Sequence, residues 1–407
     1  MIRGELENCW GSCNGFLLAV VRRYNMSTFL NILVSSAHLL IVGIFAALQL
    51  GCQTTDAGKA FSHDGRRVVG YWHNWNSRSV PAISMNEIPS SVNTVIVAFA
   101  LPENARSGRM VFKPENLSPK EFKRQIEQLQ KRGMDVLISV GGGNHPVELT
   151  HSWMKLNFVT SIQNIIDTYG FDGIDINFEG TSKVLDEGDV DFKHPTTKKV
   201  INMIEVMKEL DEHYGEDFLI SVTPETQFLV SGYNRYGGAF GGYLPLLDAL
   251  REEVDLVQMQ LYNSGSQYVY EGVDLQQGGV IVEQGTPDFV VGLTEMLILG
   301  FPVGRDPEQY FEGLGADKVV VGLPAIKMAS SGGFLDPEDF RDAMVYLMTG
   351  VAEYESQLTL RQPGGYPGVK GVMTWSINWD ASTEGGREKF AFEKQAQNLL
   401  LELVPLK

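Results

Sequence analysis

The chain has 407 residues, with 33 Lys and Arg against 50 Asp and Glu, for a formal net charge of −17. Hydrophobic residues make up 43% and charged residues 20%, which excludes a disordered chain. The acidic balance argues against a nucleic-acid partner, because neutralising phosphates needs a basic surface. Length allows two or three domains or one large α/β barrel, and 43 glycines imply many tight loops.

The N-terminal part carries all three cysteines, Cys9, Cys13 and Cys52, so the 355 residues after them hold no disulfide and no thiolate metal site. Cys9 and Cys13 have no second pair to join. They read as lying before the functional start, for which Met26, after Arg22 and Arg23, is a candidate. Residues 29–50 form a run of 22 without Asp, Glu, Lys or Arg. That is long enough to span a membrane and also fits a signal h-region. The run stops at Leu50-Gly51-Cys52. Gly before Cys after an apolar run resembles a bacterial lipoprotein signal, in which Cys52 is lipidated and becomes the mature N-terminus. Gln49 stands where that signal usually has Leu. A cleaved secretion signal, an uncleaved anchor and a buried helix remain alternatives. The first three readings export the rest of the chain, as a membrane-anchored lipoprotein or as a secreted or periplasmic protein. Residues 1–51 are thus a signal or anchor segment, and 52–65 are a polar linker.

From Arg66 to about residue 405 short Val- and Ile-rich runs alternate with helix-period segments. The runs are Val68–Tyr71, Thr94–Ala100, Asp135–Val140, Gly173–Phe178, Leu219–Val222, Leu256–Leu261, Val319–Leu323 and Gly371–Trp375. Ser118-Pro119 with Glu121 predicts a capping box, followed by a face of Phe122, Ile126 and Leu129 and a stop at Gly133. Thr286-Pro287 opens a helix with Phe289, Leu293 and Met296 on one face, ended by Gly300. Asp336-Pro337 opens another, with Phe340, Met344 and Leu347, ended by Gly350. Eight βα units predict a (β/α)₈ barrel over 66–405. A doubly wound sheet usually shows a GxGxxG or P-loop after its first strand, and neither is present.

The fourth run, Asp172-Gly173-Ile174-Asp175-Ile176-Asn177-Phe178-Glu179, carries the chemistry. Strand periodicity puts Ile174, Ile176 and Phe178 on one face and Asp175, Asn177 and Glu179 on the other. In a parallel barrel neither face meets bulk water, so the polar set points into the lumen. Buried carboxylates there are costly unless paired or functional. Glu179 falls at the C-terminal mouth, where a raised pKa suits a general acid. The seven histidines have no paired ligand spacing, so no catalytic metal is expected.

These residues resemble the DGxDxDxE signature of family 18 glycoside hydrolases, the chitinases. Further stretches are similar to family motifs in the same order. They are Val69 to Trp75 (VGYWHNW), Ser139-Val140-Gly141-Gly142, Thr223-Pro224-Glu225-Thr226, Gln260-Leu261-Tyr262-Asn263 and Trp375-Ser376-Ile377-Asn378-Trp379-Asp380. The resemblance implies a chitinase or chitodextrinase that cuts β-1,4 N-acetylglucosamine linkages, without cofactor and as a monomer. It implies Glu179 as general acid and the substrate's own acetamido oxygen as nucleophile. Asn177 would orient the acetamide, with Asp175 in support and Tyr262 and Gln260 as hydrogen-bond partners. Trp375 would floor the cleavage subsite. Asn263, Tyr71, Trp72 and Glu225 are further sugar-binding candidates, with Trp75, and Ser139 to Gly142 would be structural spacers. Asn177 departs from the usual Asp: it can accept the acetamide N–H but brings no negative charge to the oxazolinium cation. An endo-β-N-acetylglucosaminidase of N-glycan cores and a weakly active chitin-binding barrel are the alternative readings.

Overall fold

The computed structural model describes residues 65–143, 145–272 and 279–403. The apolar run, Cys52 and the linker up to residue 64 lie outside the described residues. Among the described residues, no helix is long and apolar enough to cross a membrane.

Eight parallel strands form the centre: β1 Arg67–His73, β2 Thr94–Pro102, β3 Asp135–Gly141, β4 Gly173–Asn177, β5 Leu219–Val222, β6 Leu256–Gln260, β7 Val319–Pro324 and β8 Gly371–Trp375. Each pairs with the next, and β1 pairs with both β2 and β8, so the sheet closes into a barrel without an edge. The expected runs and the strands coincide. The surrounding helices are α1 Pro119–Lys131, α2 Ser152–Tyr169, α3 Lys198–Tyr214, α4 Leu244–Ala249, α5 Pro287–Leu299, α6 Pro337–Thr349, the short α7 Ile377–Asp380 and α8 Ala391–Glu402.

The expected alternation fails once. Between β1 and β2 there is no α-helix, only a 3₁₀ turn at Met85–Glu87. Pro81 and Pro89 and the serines around them interrupt any helix there.

Helix ends follow local chemistry. Ser118 Oγ accepts from Glu121 N, at 3.2 Å, a bond worth about 1 kcal/mol. The reciprocal half of the expected capping box is not made, because the Glu121 carboxylate takes Arg124 and Gln125 instead. Asp336 caps α6 through Glu338 N and Asp339 N. Gly350 ends it with φ 76°, where a Cβ would meet Pro363 O at 1.9 Å.

Two apolar clusters follow from strand alternation. The larger lies between barrel and helices and includes Val68, Trp72, Ile174, Ile176 and Phe178. The smaller fills the lumen and includes Val69, Tyr71, Ile96, Leu137, Val320 and Met373. Asp175 and Asn177 therefore face the lumen, as the period of two requires, and both are buried.

Candidate active site

Barrel register sets the first layer of the site. Ser139 on β3, Asp175 on β4 and Ser221 on β5 are direct cross-strand neighbours. Asp175 is completely buried and accepts four hydroxyl hydrogen bonds. Tyr71 and Ser139 donate to Oδ2, each at 2.6 Å, and Ser221 and Thr223 donate to Oδ1 at 2.5 and 2.8 Å. Burial raises its pKa and these hydroxyls pull it back. Ser139 is thus more than the spacer it resembles. Gly141 does act by smallness: a Cβ there would sit 2.4 Å from Asn177 O.

The second layer stands at the mouth. Glu179 lies two residues beyond the end of β4 and immediately precedes a 3₁₀ turn at Gly180–Lys183. Tyr243 clamps the backbone before it, accepting from Phe178 N at 2.8 Å and reaching Phe178 O at 2.9 Å. Gln260 Nε2, at the end of β6, lies 3.3 Å from both Asn177 Oδ1 and Glu179 Oε1 and 3.2 Å from Thr223 O. Asn177 also hydrogen-bonds to Glu179 and lowers its pKa, as Gln260 does. Burial outweighs both, the charge of Glu225 adds to it, and Glu179 is pushed up to about 7. Glu225 bridges β-fashion to Gln260. Its carboxylate takes the Gly180 N–H, and its Oε2 is buried without a hydrogen-bond partner.

Above these groups opens a cavity of about 770 Å³, lined among others by Trp75, Phe99, Glu179, Gln260, Tyr262 and Trp375. That volume suits a small organic ligand. Trp375, Trp75 and Phe99 form an aromatic floor with centroids 6.0 to 6.4 Å apart and planes within 34° of one another. His73 stacks under Trp75 at 4.3 Å and 9°. Its ring is buried, neither nitrogen has a hydrogen-bond partner, and burial pushes its pKa down to about 3.

The structure brings Asn177, Glu179, Gln260, Tyr262, Asn263 and Trp375 to one cavity. Asn263, with φ 57°, spends its Oδ1 on Ser331 N and Oγ, both at 2.7 Å, so only its amide nitrogen is left for a ligand. Three candidate sugar contacts lie off the wall. Tyr71 is buried beneath it, holding Asp175. Trp72 faces the helices, packs 6.1 Å from Phe122 and donates Nε1 to Ile83 O. Glu225 sits behind Glu179 and does not line the cavity. Phe99, Lys113 and Glu115 line it and carried no motif. Among the described residues, no group of three or more His, Cys, Asp or Glu could hold a metal ion.

The sequence model of Glycosyl hydrolases family 18 matches residues 67–285, more than half the chain, and that stretch holds β1 to β6 with Asp175, Asn177, Glu179, Gln260 and Tyr262. The chain belongs to glycosyl hydrolase family 18. It is 43% identical over 317 residues to Chitinase D of Niallia circulans and 37% identical over 329 residues to Exochitinase 1 of Streptomyces olivaceoviridis. These alignments cover 78% and 77% of this chain but only 59% and 53% of the relatives. The crystal structure of a family 18 chitinase from Chromobacterium violaceum superposes with a TM-score of 0.72 at 30% identity, covering 84% of this chain and 85% of that one. The eight-stranded barrel is therefore that of a family 18 hydrolase fold.

Proposed function

We propose that this family 18 domain is a chitinase that hydrolyses β-1,4 linkages between N-acetylglucosamine units, with Glu179 as general acid. One observation carries the reading: Glu179, with its pKa at about 7, lines the same cavity as Trp375 and lies beside the amides of Gln260 and Asn177. A carboxyl of that pKa holds a proton near neutrality and can give it to a glycosidic oxygen. As the proton moves, the sugar's acetamido oxygen attacks C1 and the C1–O bond to the leaving sugar breaks. Glu179, now ionised, takes a proton from the water that opens the oxazolinium ring at C1. The anomeric configuration is retained.

The surroundings of Asp175 support the substrate's own nucleophile over an enzyme carboxylate. Asp175 is sealed in by four hydroxyls and has no surface with which to reach a sugar carbon. It is built to polarise the layer above. Gln260, Asn177 and Tyr262 are the groups that would hold the acetamide. The chitinase names of the relatives point the same way. Incubation with a chitin hexamer tests the reading. Smaller N-acetylglucosamine oligomers should appear, with the β-anomer first by NMR. An untouched hexamer, or α-anomer first, would overturn it.

A further inference from the structure

On the reading above, the sugar over Trp375 turns its C1 toward Glu179, because that carbon carries the bond that breaks. Sugars on its non-reducing side therefore run away from Glu179, over the next rings. Those are Trp75 and Phe99, 6.4 and 6.1 Å from Trp375. The lining also includes Asn74, Lys113, Pro114 and Glu115.

These last residues belong to two segments, one following β1 and one following β2, and the segments are joined by a seam of hydrogen bonds. Asn74 Nδ2 donates to Lys113 O at 2.8 Å, and Asn74 Oδ1 accepts from Glu115 N at 3.2 Å. Asn76 N donates to Glu115 Oε2 at 3.2 Å, and Asn76 Nδ2 donates to Asn116 Oδ1 at 2.7 Å. Pro114 is buried within it. Wherever such a seam crosses a cleft, a sugar chain passes only by breaking it. The aromatic floor before it offers one platform at Trp375 and one at Trp75 with Phe99.

We propose that the Asn74–Asn76 and Lys113–Asn116 seam lies across the cleft and closes it after two sugars, so that N-acetylglucosamine dimers are released from the non-reducing end. Asn74 is then a specificity-determining residue. This rests on the chitinase reading and adds an exo mode to it.

The test compares 4-nitrophenol release from the 4-nitrophenyl glycosides of N-acetylglucosamine dimer and trimer. The wild type should prefer the dimer glycoside by about tenfold or more in kcat/KM, since the trimer needs a third subsite where the seam stands. Asn74→Ala removes two seam bonds and should raise the trimer-to-dimer ratio about tenfold. Asn76→Ala, outside the cavity lining, removes one other, the Nδ2 bond to Asn116, and should move the ratio the same way by a smaller factor. Equal wild-type rates on the two glycosides would overturn the inference and leave the chitinase reading standing. A dimer preference that neither variant alters would overturn the assignment to the seam. Release from neither glycoside would overturn the chitinase reading, and the inference with it.

Discussion

Glu225→Gln keeps the side chain's shape and removes its charge. Glu179 is held at about 7, against an ordinary 4.5, first by burial and second by Glu225, with Gln260 and Asn177 acting in the opposite sense. The substitution leaves burial in place, and the Gln carbonyl can still take the Gly180 N–H. The pKa of Glu179 should therefore fall by about one unit, a minority of the whole shift. A general acid must enter the reaction protonated. At pH 7 its protonated fraction drops from about one half to about one tenth, while at pH 5 it stays above about nine tenths in both proteins. The expected result is a loss in kcat/KM of about fivefold at pH 7 and almost none at pH 5. Rates on a chromogenic dimer glycoside from pH 4.5 to 8.5 would show it. An unmoved basic limb, or a loss equal at every pH, would refute the charge argument and leave Glu225 a merely structural residue.

His73 gives a stability prediction. Its folded pKa, about 3, lies below the ordinary 6.5, so its contribution is complete above pH 6.5 and is lost as pH falls toward 3. At pH 4 the loss is about 3 kcal/mol. Urea unfolding of His73→Phe should lack that part of the acid dependence, and identical curves for both proteins would contradict it. Asn177→Asp replaces a hydrogen-bond donor to Glu179 with a carboxylate. Both changes raise the pKa of Glu179, so the basic limb should move up, and a limb that stays or falls would contradict the geometry. The added charge beside the oxazolinium cation favours turnover. The lost amide bond now weighs against that gain, so kcat measures which contribution is larger.

The barrel was legible because its strands are β-branched runs separated by helices with clear caps, such as Asp336-Pro337 to Gly350. The first connection was not, since prolines and serines replace the helix there. The polar face of β4 was legible from alternation alone. Alternation also separates Tyr71 from Trp72, which fall on opposite faces of β1. Phe99 was hidden by a register shift in β2 between Val97 and Ala100, which brings it beside Ala98 at the cavity wall and breaks the period of two. Glu225 could be placed near the site by its motif. Its proximity to Glu179 depends on how β4, β5 and β6 align, which no local pattern encodes. The Asn74 to Glu115 seam is likewise a contact between separate loops.

The central claim is that Glu179 supplies the proton. Turnover of a chitin hexamer by Glu179→Gln tests it most directly, since the amide keeps the shape and cannot act as the acid. The account predicts a fall in kcat of at least about a thousandfold while hexamer binding, measured by calorimetry, persists. Turnover near that of the wild type would contradict it.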